Sequence, residues 1–339
     1  TIPRPWQVLG ATGMLRGCTT YHPSMKTFDF DLFVIGGGSG GVRAARMAAQ
    51  RGARVAIAEV AAMGGTCVNV GCIPKKLYSY AAHFGEGFEE SHGFGWVGEA
   101  PRFDWQLLKA NRRREISRLN GVYQNLLTGA GVTVMDAYAR LTGPNSLLVG
   151  NREWHARCIV IATGSWPFVP DIPGAQHAVV SDAMFDIDPF PQNLLVVGGG
   201  YIACEFASIF RGLGAAVTQL YRGEQVLRGF DDDVRQFIAT EMRKKGIDLR
   251  LGADVAGITR TAAGLVVDVT APGPNRFRLA PPRRCTAICS APRRRSNACC
   301  RCWRCSTRWR CRPCTCSSPT PNATWTTCPT GPARAWRRR

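Results

Sequence analysis

The alternation of apolar and polar residues is regular from Phe28 to about Pro274, and it predicts an α/β fold. The run "FDLFVIGGG" is typical of a short buried strand that enters a glycine turn. "GGVRAARMAAQRG" has helical spacing and ends at Gly52, and "ARVAIAEV" indicates a second strand. A strand, a helix and a second strand over about 30 residues are the parts of a βαβ unit.

The same pattern recurs near Asn193, where "NLLVVGGG" predicts a strand, "YIACEFASIFRGLG" a helix and "AAVTQLYR" a strand. Between the two units, "FDWQLLKANRRREISRLNGVYQNLLTGAG" predicts long helical runs. The stretch from Val132 to Gly164 indicates several strands, with turns at Gly143-Pro144 and Gly150-Asn151. "DDDVRQFIATEMRKKG" is a further helix, capped by aspartate at its start and by Gly246 at its end. The chain therefore predicts two Rossmann-like dinucleotide-binding domains.

The first glycine turn has the spacing of a dinucleotide site. Gly36, Gly38 and Gly41 form GxGxxG between a strand and a helix. Glycine allows the tight turn, the close approach of a pyrophosphate and the packing of helix on strand, and the helix N-terminus faces the phosphates. Glu59 ends the next strand, 23 positions after Gly36, where a carboxylate can accept hydrogen bonds from ribose hydroxyls.

The second turn, which begins at Gly198, has the GxGxxA variant and a different charge. The same count of 23 positions leads from Gly198 to Tyr221 rather than to an acid, and Arg222 and Arg228 follow. A carboxylate there would repel a 2′-phosphate, whereas guanidinium groups bind one bidentately. The sequence therefore favours NADP(H) over NAD(H); the alternative is that both arginines are solvated surface charges.

The stretch "GGTCVNVGC" holds Cys67 and Cys72, five positions apart, just after the first βαβ unit. The spacing fits no metal knuckle, and no nearby histidine completes a ligand set. A disulfide that closes so short a loop stabilises little. A redox-active disulfide beside a cofactor remains as the interpretation.

The segment "GGTCVNVGCIPKKLYSYAAHF", with "VIGGGSGG" before it and "GGGYIACEFA" after it, resembles the flavin-dependent pyridine-nucleotide disulfide reductases. The resemblance covers about residues 28–270 and is strongest to the glutathione reductases. Lys75 and Lys76 follow "CIP", as in glutathione and thioredoxin reductases, whereas lipoamide dehydrogenases resemble "CIPSK". The resemblance implies FAD in the first site, NADPH in the second, glutathione disulfide as substrate and a homodimer. It also implies that Cys72 faces the flavin and that Cys67 attacks the substrate.

The resemblance assigns further residues one by one. The catalytic residues it implies are Cys67, Cys72, Lys75 and Glu205, with Lys75 paired to Glu205. The implied FAD contacts are Gly36, Gly38, Ser39, Gly40, Gly41, Glu59, Gly65, Thr66, Cys67, Lys75, Ala139, Thr163 and Gly164. The implied NADPH contacts are Gly198, Gly199, Gly200, Ile202, Glu205, Arg222 and Arg228. Ser39, Arg46 and Tyr123 are implied to touch glutathione; alternatively, Arg46 and Tyr123 are a helix-surface arginine and a half-buried tyrosine.

Composition changes this picture only at the C-terminal end. The chain of 339 residues has a formal net charge of +19 and 15 cysteines. Residues 276–339 hold 16 arginines, ten of the cysteines and no Lys, Asp or Glu, which leaves +3 on residues 1–275. The net charge and cysteine count of the whole chain therefore do not indicate that residues 1–275 are a nucleic-acid binder or a disulfide scaffold. No run of 18 apolar residues predicts a membrane span, and we expect a cytoplasmic location.

We predict four segments. Residues 1–24 are a disordered extension with Met25 as a candidate start, 25–167 are the first segment of an FAD-binding domain, 168–275 are an NADPH-binding domain, and 276–339 are an Arg/Cys-rich tail. The tail has no periodicity and the composition of a frameshifted or disordered segment. Its cysteine clusters leave a zinc module as an alternative, and its arginines and tryptophans leave an RNA-binding tail.

The chain departs from the reductase pattern after the second unit. All five histidines precede residue 180, and none lies in the "HPT" motif of the family's interface domain. We therefore expect that domain to be absent and this polypeptide to be inactive or impaired, since acid–base help for the leaving thiol is missing. A thioredoxin or trypanothione reductase, or a non-catalytic remnant, stays open as an alternative.

Overall fold

Two sheets, each with a strand that ends in a glycine turn, organise the fold. The computed structural model describes residues 27–99, 101–262 and 264–270, together with the backbone of 285–289 and 291–292. The predicted extension over residues 1–24 lies outside the described residues, as does most of the predicted tail.

The first sheet is mixed, with the strand order β3-β2-β1-β6-β5-β4. Its strands are β1 Phe30–Ile35, β2 Val55–Glu59, β3 Thr133–Asp136, β4 Ala139–Leu141, β5 Ser146–Val149 and β6 Arg152–Ile161. The strand β1 lies parallel to β2 and to β6, and β2 lies parallel to β3. The strands β4, β5 and β6 form an antiparallel meander, with turns where the sequence predicts them. The glycine turn thus leaves the middle of a parallel group, where such sheets bind ligands.

The second sheet is fully parallel, with the order β11-β10-β9-β14-β8. The strands from residue 167 onward are β7 Pro167–Phe168, β8 Ala178–Val180, β9 Asn193–Val197, β10 Ala216–Tyr221, β11 Asp248–Leu251, β12 Asp254–Thr261, β13 Gly264–Thr270, β14 Cys285–Cys289 and β15 Ala291–Pro292. The pairs β12–β13 and β7–β15 are antiparallel and form separate two-stranded sheets, and β12 and β13 pack against Leu195 and Leu220 of the large sheet. This arrangement confirms the predicted α/β class with two Rossmann-like units.

The strand β14 falls within the predicted tail, whose disordered or frameshifted character stays a prediction. It pairs with β9 and β8 inside the segment for which the sequence predicts no order, and beyond the predicted domain boundary at residue 275. A five-residue run in an Arg/Cys-rich composition is too short to show a period. Its place between two strands lets its backbone groups pair on both edges, which a sequence pattern cannot reveal. The predicted domain boundaries stay predictions.

Six α-helices accompany the sheets in the described part of the chain. They are α1 Ser39–Ala49, α2 Gly65–Asn69, α3 Cys72–Ser91, α4 Trp105–Thr128, α5 Tyr201–Gly212 and α6 Asp232–Lys244, and short 3-10 turns cover His92–Phe94, Ala175–His177 and Ser181–Phe185. The helix α6 has the predicted caps, because the Asp231 side chain accepts a hydrogen bond from the backbone N–H of Asp233 and Gly246 takes a positive φ of 81°.

The largest core joins the two units through α3, α4 and α5. Tyr78 of α3 is fully buried, with its ring 5.2 Å from that of Trp105 and 5.5 Å from that of Phe185. Phe206 and Phe210 of α5 complete this aromatic cluster. Burial raises the pKa of Tyr78 to about 12, and its hydroxyl donates to the carbonyl oxygen of Phe185 at 2.7 Å. The cluster therefore fixes α3, which begins at Cys72, against the helix of the second unit.

A charged group beside this core ties α4 to the segment before β9. The buried Arg112 donates to Oδ1 of Asp186 at 2.5 Å, and Arg113 donates to the same oxygen at 2.6 Å. Burial alone would raise the pKa of Asp186, but the hydrogen bonds from the two arginines outweigh it and the pKa is lowered. The carboxylate is therefore held in its charged form.

We expect Asp186→Asn to lower the free energy of unfolding by about 1–2 kcal/mol at pH 7, since it leaves the buried Arg112 without its charged partner. The loss is no larger than this because the half-exposed carboxylate is partly screened by solvent. A lowered pKa means that the stabilisation is complete above the ordinary carboxyl value of about 3.9 and is lost as pH falls below it. Thermal unfolding of the unaltered chain and of Asp186→Asn should be measured from pH 7 to pH 3.5. The difference in stability between the two should become smaller as the pH falls, and a difference independent of pH would contradict this account.

Candidate active site

The first glycine turn is packed so closely that side chains cannot replace two of its glycines. Gly36 has a φ of 107°, and a Cβ there would overlap the carbonyl oxygen of Ala162 at the end of β6. A Cβ on Gly41 would overlap the carbonyl oxygen of Gly36, so α1 starts directly on the turn. The turn leaves its backbone open where a pyrophosphate would lie, because a Cβ on Gly40 would meet nothing within 4 Å.

Glu59 lies beside this turn, at the end of β2. One carboxylate oxygen accepts from the backbone N–H of Gly37 at 2.6 Å, and the other accepts from Val60 and Ala61 at 2.9 and 2.8 Å. The carboxylate therefore holds the turn itself, which is a role that the sequence did not predict. The predicted contact with ribose hydroxyls stays a prediction.

The segment with the two cysteines lies on the same turn. Gly38 and Gly64 form a parallel bridge, and a Cβ on Gly65 would be 2.6 Å from the Cα of Gly38. Gly65 begins α2, which carries Thr66 and Cys67, and Cys72 begins α3. The close approach of Gly64 and Gly65 to Gly38 thus places α2, which carries Cys67, against the first glycine turn.

The corner between α2 and α3 brings the two thiols together. A Cβ on Gly71 would be 2.6 Å from the carbonyl oxygen of Thr66, so only glycine fits the corner. Cys67 is half-buried and Cys72 is exposed, and the two free thiols lie close enough for Cys72 to affect the pKa of Cys67. Burial raises the pKa of the Cys67 thiol, Cys72 raises it further, and a hydrogen bond with Ser39 at the start of α1 opposes the shift. Among the described residues, no group of three or more His, Cys, Asp or Glu side chains could hold a metal ion.

A charged pair connects this corner to the second unit. Lys75, in the first turn of α3, forms an ion pair with Glu205 of α5, and its Nζ lies 5.3 Å from the centre of the Tyr201 ring. The Lys75 side chain is only 14% exposed, while that of Glu205 is 46% exposed. The predicted contact is present one helical turn from Cys72, and its role in catalysis stays a prediction.

The second glycine turn has similar geometry, and the loop that follows β10 carries two exposed arginines. Gly198 has a φ of 137°, and a Cβ on Gly199 would overlap the Tyr221 ring. Arg222 and Arg228 are exposed, and neither side chain has a hydrogen bond or ion pair within the described part of the chain. These two cations without protein partners, one directly after β10 and one later in the loop before α6, suit an anion such as a 2′-phosphate.

The remaining predicted residues are spread over both units. Ala139 lies on β4, Thr163 and the left-handed Gly164 follow β6, Gly200 precedes α5, and Ile202 is half-buried in its first turn. Arg46 lies two turns after Ser39 on α1, and its Nε is a buried atom with no hydrogen-bond partner among the described residues. Tyr123 of α4 packs against the core beneath α1. The structure thus joins Ser39 to the cysteine pair, while substrate contact by Arg46 and Tyr123 stays a prediction.

No helix within the described ranges is both long and apolar enough to cross a membrane.

Two parallel units with glycine turns, and a thiol pair against the first turn, define an oxidoreductase built for two dinucleotides. A family model described as pyridine nucleotide-disulphide oxidoreductase matches residues 30–279, and the chain belongs to this family. It is 52% identical over 246 residues to a glutathione reductase of Burkholderia cepacia, covering 73% of this chain and 55% of that protein. A chloroplastic/mitochondrial glutathione reductase of Pisum sativum is 43% identical over 250 residues, covering 70% of this chain and 45% of that protein. A glutathione reductase of Nostoc sp. is 41% identical over 245 residues, covering 72% of this chain and 53% of that protein. The chain spans about half the length of these relatives.

Members of this family use FAD and NADPH, and the residues present fit both. The open backbone at Gly40 and the packed Gly36 and Gly41 form a cradle that leaves room for a pyrophosphate. The unpartnered Arg222 and Arg228 fit the extra phosphate that distinguishes NADPH from NADH.

Proposed function

We propose that this chain carries the FAD, NADPH and dithiol sites of a glutathione-disulfide reductase. The observation that carries the proposal is the contact of Cys67 with Cys72 at a corner that lies on the first glycine turn. The Lys75–Glu205 pair, which links that corner to the helix of the second turn, supports it further. The names of the relatives supply the substrate, glutathione disulfide.

The chain's own residues divide the work between two sites. Gly36 to Gly41 and Gly65 would hold FAD, and Gly198 to Gly200 with Arg222 and Arg228 would hold NADPH. When bound, the flavin would supply the two-electron chemistry that couples oxidation of NADPH to reduction of the Cys67–Cys72 disulfide. Lys75 lies in the first turn of the helix that Cys72 begins, and its ion pair with Glu205 ties that turn to the helix of the second unit.

The reduced cysteine pair can convert glutathione disulfide to two glutathione molecules in two thiol–disulfide exchange steps. The Cys67 thiolate attacks one sulfur of glutathione disulfide, which forms a mixed disulfide and releases one glutathione thiolate. The Cys72 thiolate then attacks the Cys67 sulfur, which closes the Cys67–Cys72 disulfide and releases the second glutathione. The dithiol loses the two electrons that the substrate gains. Burial and Cys72 raise the pKa of the Cys67 thiol, and Ser39 at the start of α1 opposes part of that rise.

The full chain, loaded with FAD, tests the proposal through NADPH-dependent release of glutathione. We expect thiol release from glutathione disulfide to exceed that from oxidised thioredoxin or trypanothione disulfide, and to be faster with NADPH than with NADH. The rate itself should be well below that of a complete reductase, since the chain is expected to be impaired. Equal release from all three disulfides, or faster release from a disulfide other than glutathione disulfide, would contradict the assignment. The predicted homodimer belongs to this proposal and is tested by sedimentation of the FAD-loaded chain. The predicted cytoplasmic location stays a prediction, since the pea relative is named chloroplastic/mitochondrial.

A further inference from the structure

The loop between β10 and α6 carries both free arginines of the second site. Arg222 begins this loop, and Arg228 comes near its end, just before α6. Val226 and Leu227, between them, are buried at 0% and 8% exposure in the largest core. The two cations are therefore carried by a loop whose middle is anchored inside the protein.

Arg235 of α6 binds the middle of this loop with most of its guanidinium group. Its Nε donates to the carbonyl oxygen of Val226 at 2.9 Å, and its Nη2 donates to that of Gln225 at 3.3 Å. Its Nη1 forms an ion pair with Asp232, one turn earlier on the same helix. The side chain is 20% exposed. Since each of its three guanidinium nitrogens already has a partner within the protein, Arg235 is a weaker candidate ligand for an anion than Arg222 and Arg228.

The backbone that Arg235 holds has an unfavourable conformation. Leu227 has a φ of 56°, and it is the only non-glycine residue in the described part of the chain with a positive φ. Its N–H donates to the carbonyl oxygen of Gly199 at 2.6 Å, which links the loop to the glycine turn. A leucine keeps such a conformation only when surrounding contacts enforce it. Leu227 sets the direction of the chain directly before Arg228.

We propose that Arg235 is a positioning residue for the 2′-phosphate site: by holding Gln225 and Val226 it fixes the loop from which Arg222 and Arg228 reach the ligand. The inference rests on the proposed function, which places NADPH at this site. A lysine cannot take over the role, because a single ammonium group does not reproduce the planar fork that serves two carbonyls and a carboxylate.

The test measures binding of adenosine 2′,5′-bisphosphate and of 5′-AMP to the full chain by calorimetry. These ligands differ only in the 2′-phosphate. For R235K we expect the Kd of the bisphosphate to rise about tenfold, the size of effect of one charge-assisted hydrogen bond. We expect the Kd of 5′-AMP to change by less than about twofold, since the glycine turn itself is unaltered. R243K is the matched control, because Arg243 lies on the same helix, is exposed, and its side chain has no partner among the described residues.

The double variant R222M/R228M distinguishes failure of the NADPH assignment from failure of the proposed role of Arg235. If it leaves the preference for the bisphosphate intact, the NADPH assignment fails. If it removes the preference while R235K keeps it, the assignment stands and the role of Arg235 is refuted. An equal loss for both ligands in R235K, or failure of R235K to fold as judged by circular dichroism, would mean a general structural role and would also refute the proposal.

Discussion

Replacing Cys72 with serine is expected to lower reduction of glutathione disulfide by the FAD-loaded chain at least about 10³-fold. Cys72 is the only described cysteine in contact with Cys67, so the mixed disulfide formed on Cys67 cannot be resolved. Serine is close in size to cysteine, and Cys72 is exposed, so the fold should be preserved. Mass spectrometry after treatment with glutathione disulfide should find one glutathione attached to Cys67.

Two further variants sharpen this result. Cys67→Ser should lose activity to the same extent but should carry no glutathione at either position, because the attacking thiol is gone. Cys158→Ser alters an exposed cysteine of β6 and should leave the rate unchanged. Glutathione attached to Cys72 rather than Cys67, or equal losses in all three variants, would contradict the assigned roles.

The second large effect is expected at the first glycine turn. Gly41→Ala adds a methyl group that would overlap the carbonyl oxygen of Gly36, and both atoms lie in tightly packed backbone. We expect a loss of about 1–3 kcal/mol in the free energy of unfolding, since overpacking forces the backbone to shift. A shift of the turn should also weaken FAD binding, because the backbone of the turn must approach the pyrophosphate closely. FAD retained after gel filtration and the thermal midpoint of the apoprotein measure the two effects.

Neighbouring glycines provide the controls. Gly121→Ala lies in α4 with nothing within 4 Å of the new atom, and it should leave both FAD content and stability unchanged or slightly improved. Gly40→Ala also has open space in the protein, so it should keep the fold and lose only FAD affinity. Full FAD content in Gly41→Ala would overturn the idea that the turn must approach the cofactor closely.

The sequence predicted those elements whose pattern repeats over many residues. The strands β1, β2, β9 and β10, and the helices that follow the two glycine turns, have clear periods and clear ends. The contact between Lys75 and Glu205 could be named only from the resemblance, since 130 residues separate the pair and no local pattern connects them.

The parts that could not be predicted depend on tertiary contacts. The corner at Gly71, which joins two helices and brings Cys67 to Cys72, has no periodic signal because α2 has only five residues. The backbone role of Glu59 and the role of Arg235 are set by carbonyl and N–H groups, which every residue carries. For Arg235 the one available hint is its place in the first turn of a helix capped by Asp231.

Differential alkylation of the FAD-loaded chain tests the central claim most directly. Free thiols are blocked with one reagent, NADPH is added, and newly exposed thiols are labelled with a second reagent before peptide mass spectrometry. This readout follows individual residues, which matters in a chain with 15 cysteines. We expect the second label on Cys67 and Cys72 together, only after NADPH addition and only when FAD is bound. A Cys67–Cys72 pair that carries the first label from the start, or that stays unlabelled after NADPH, would contradict the account.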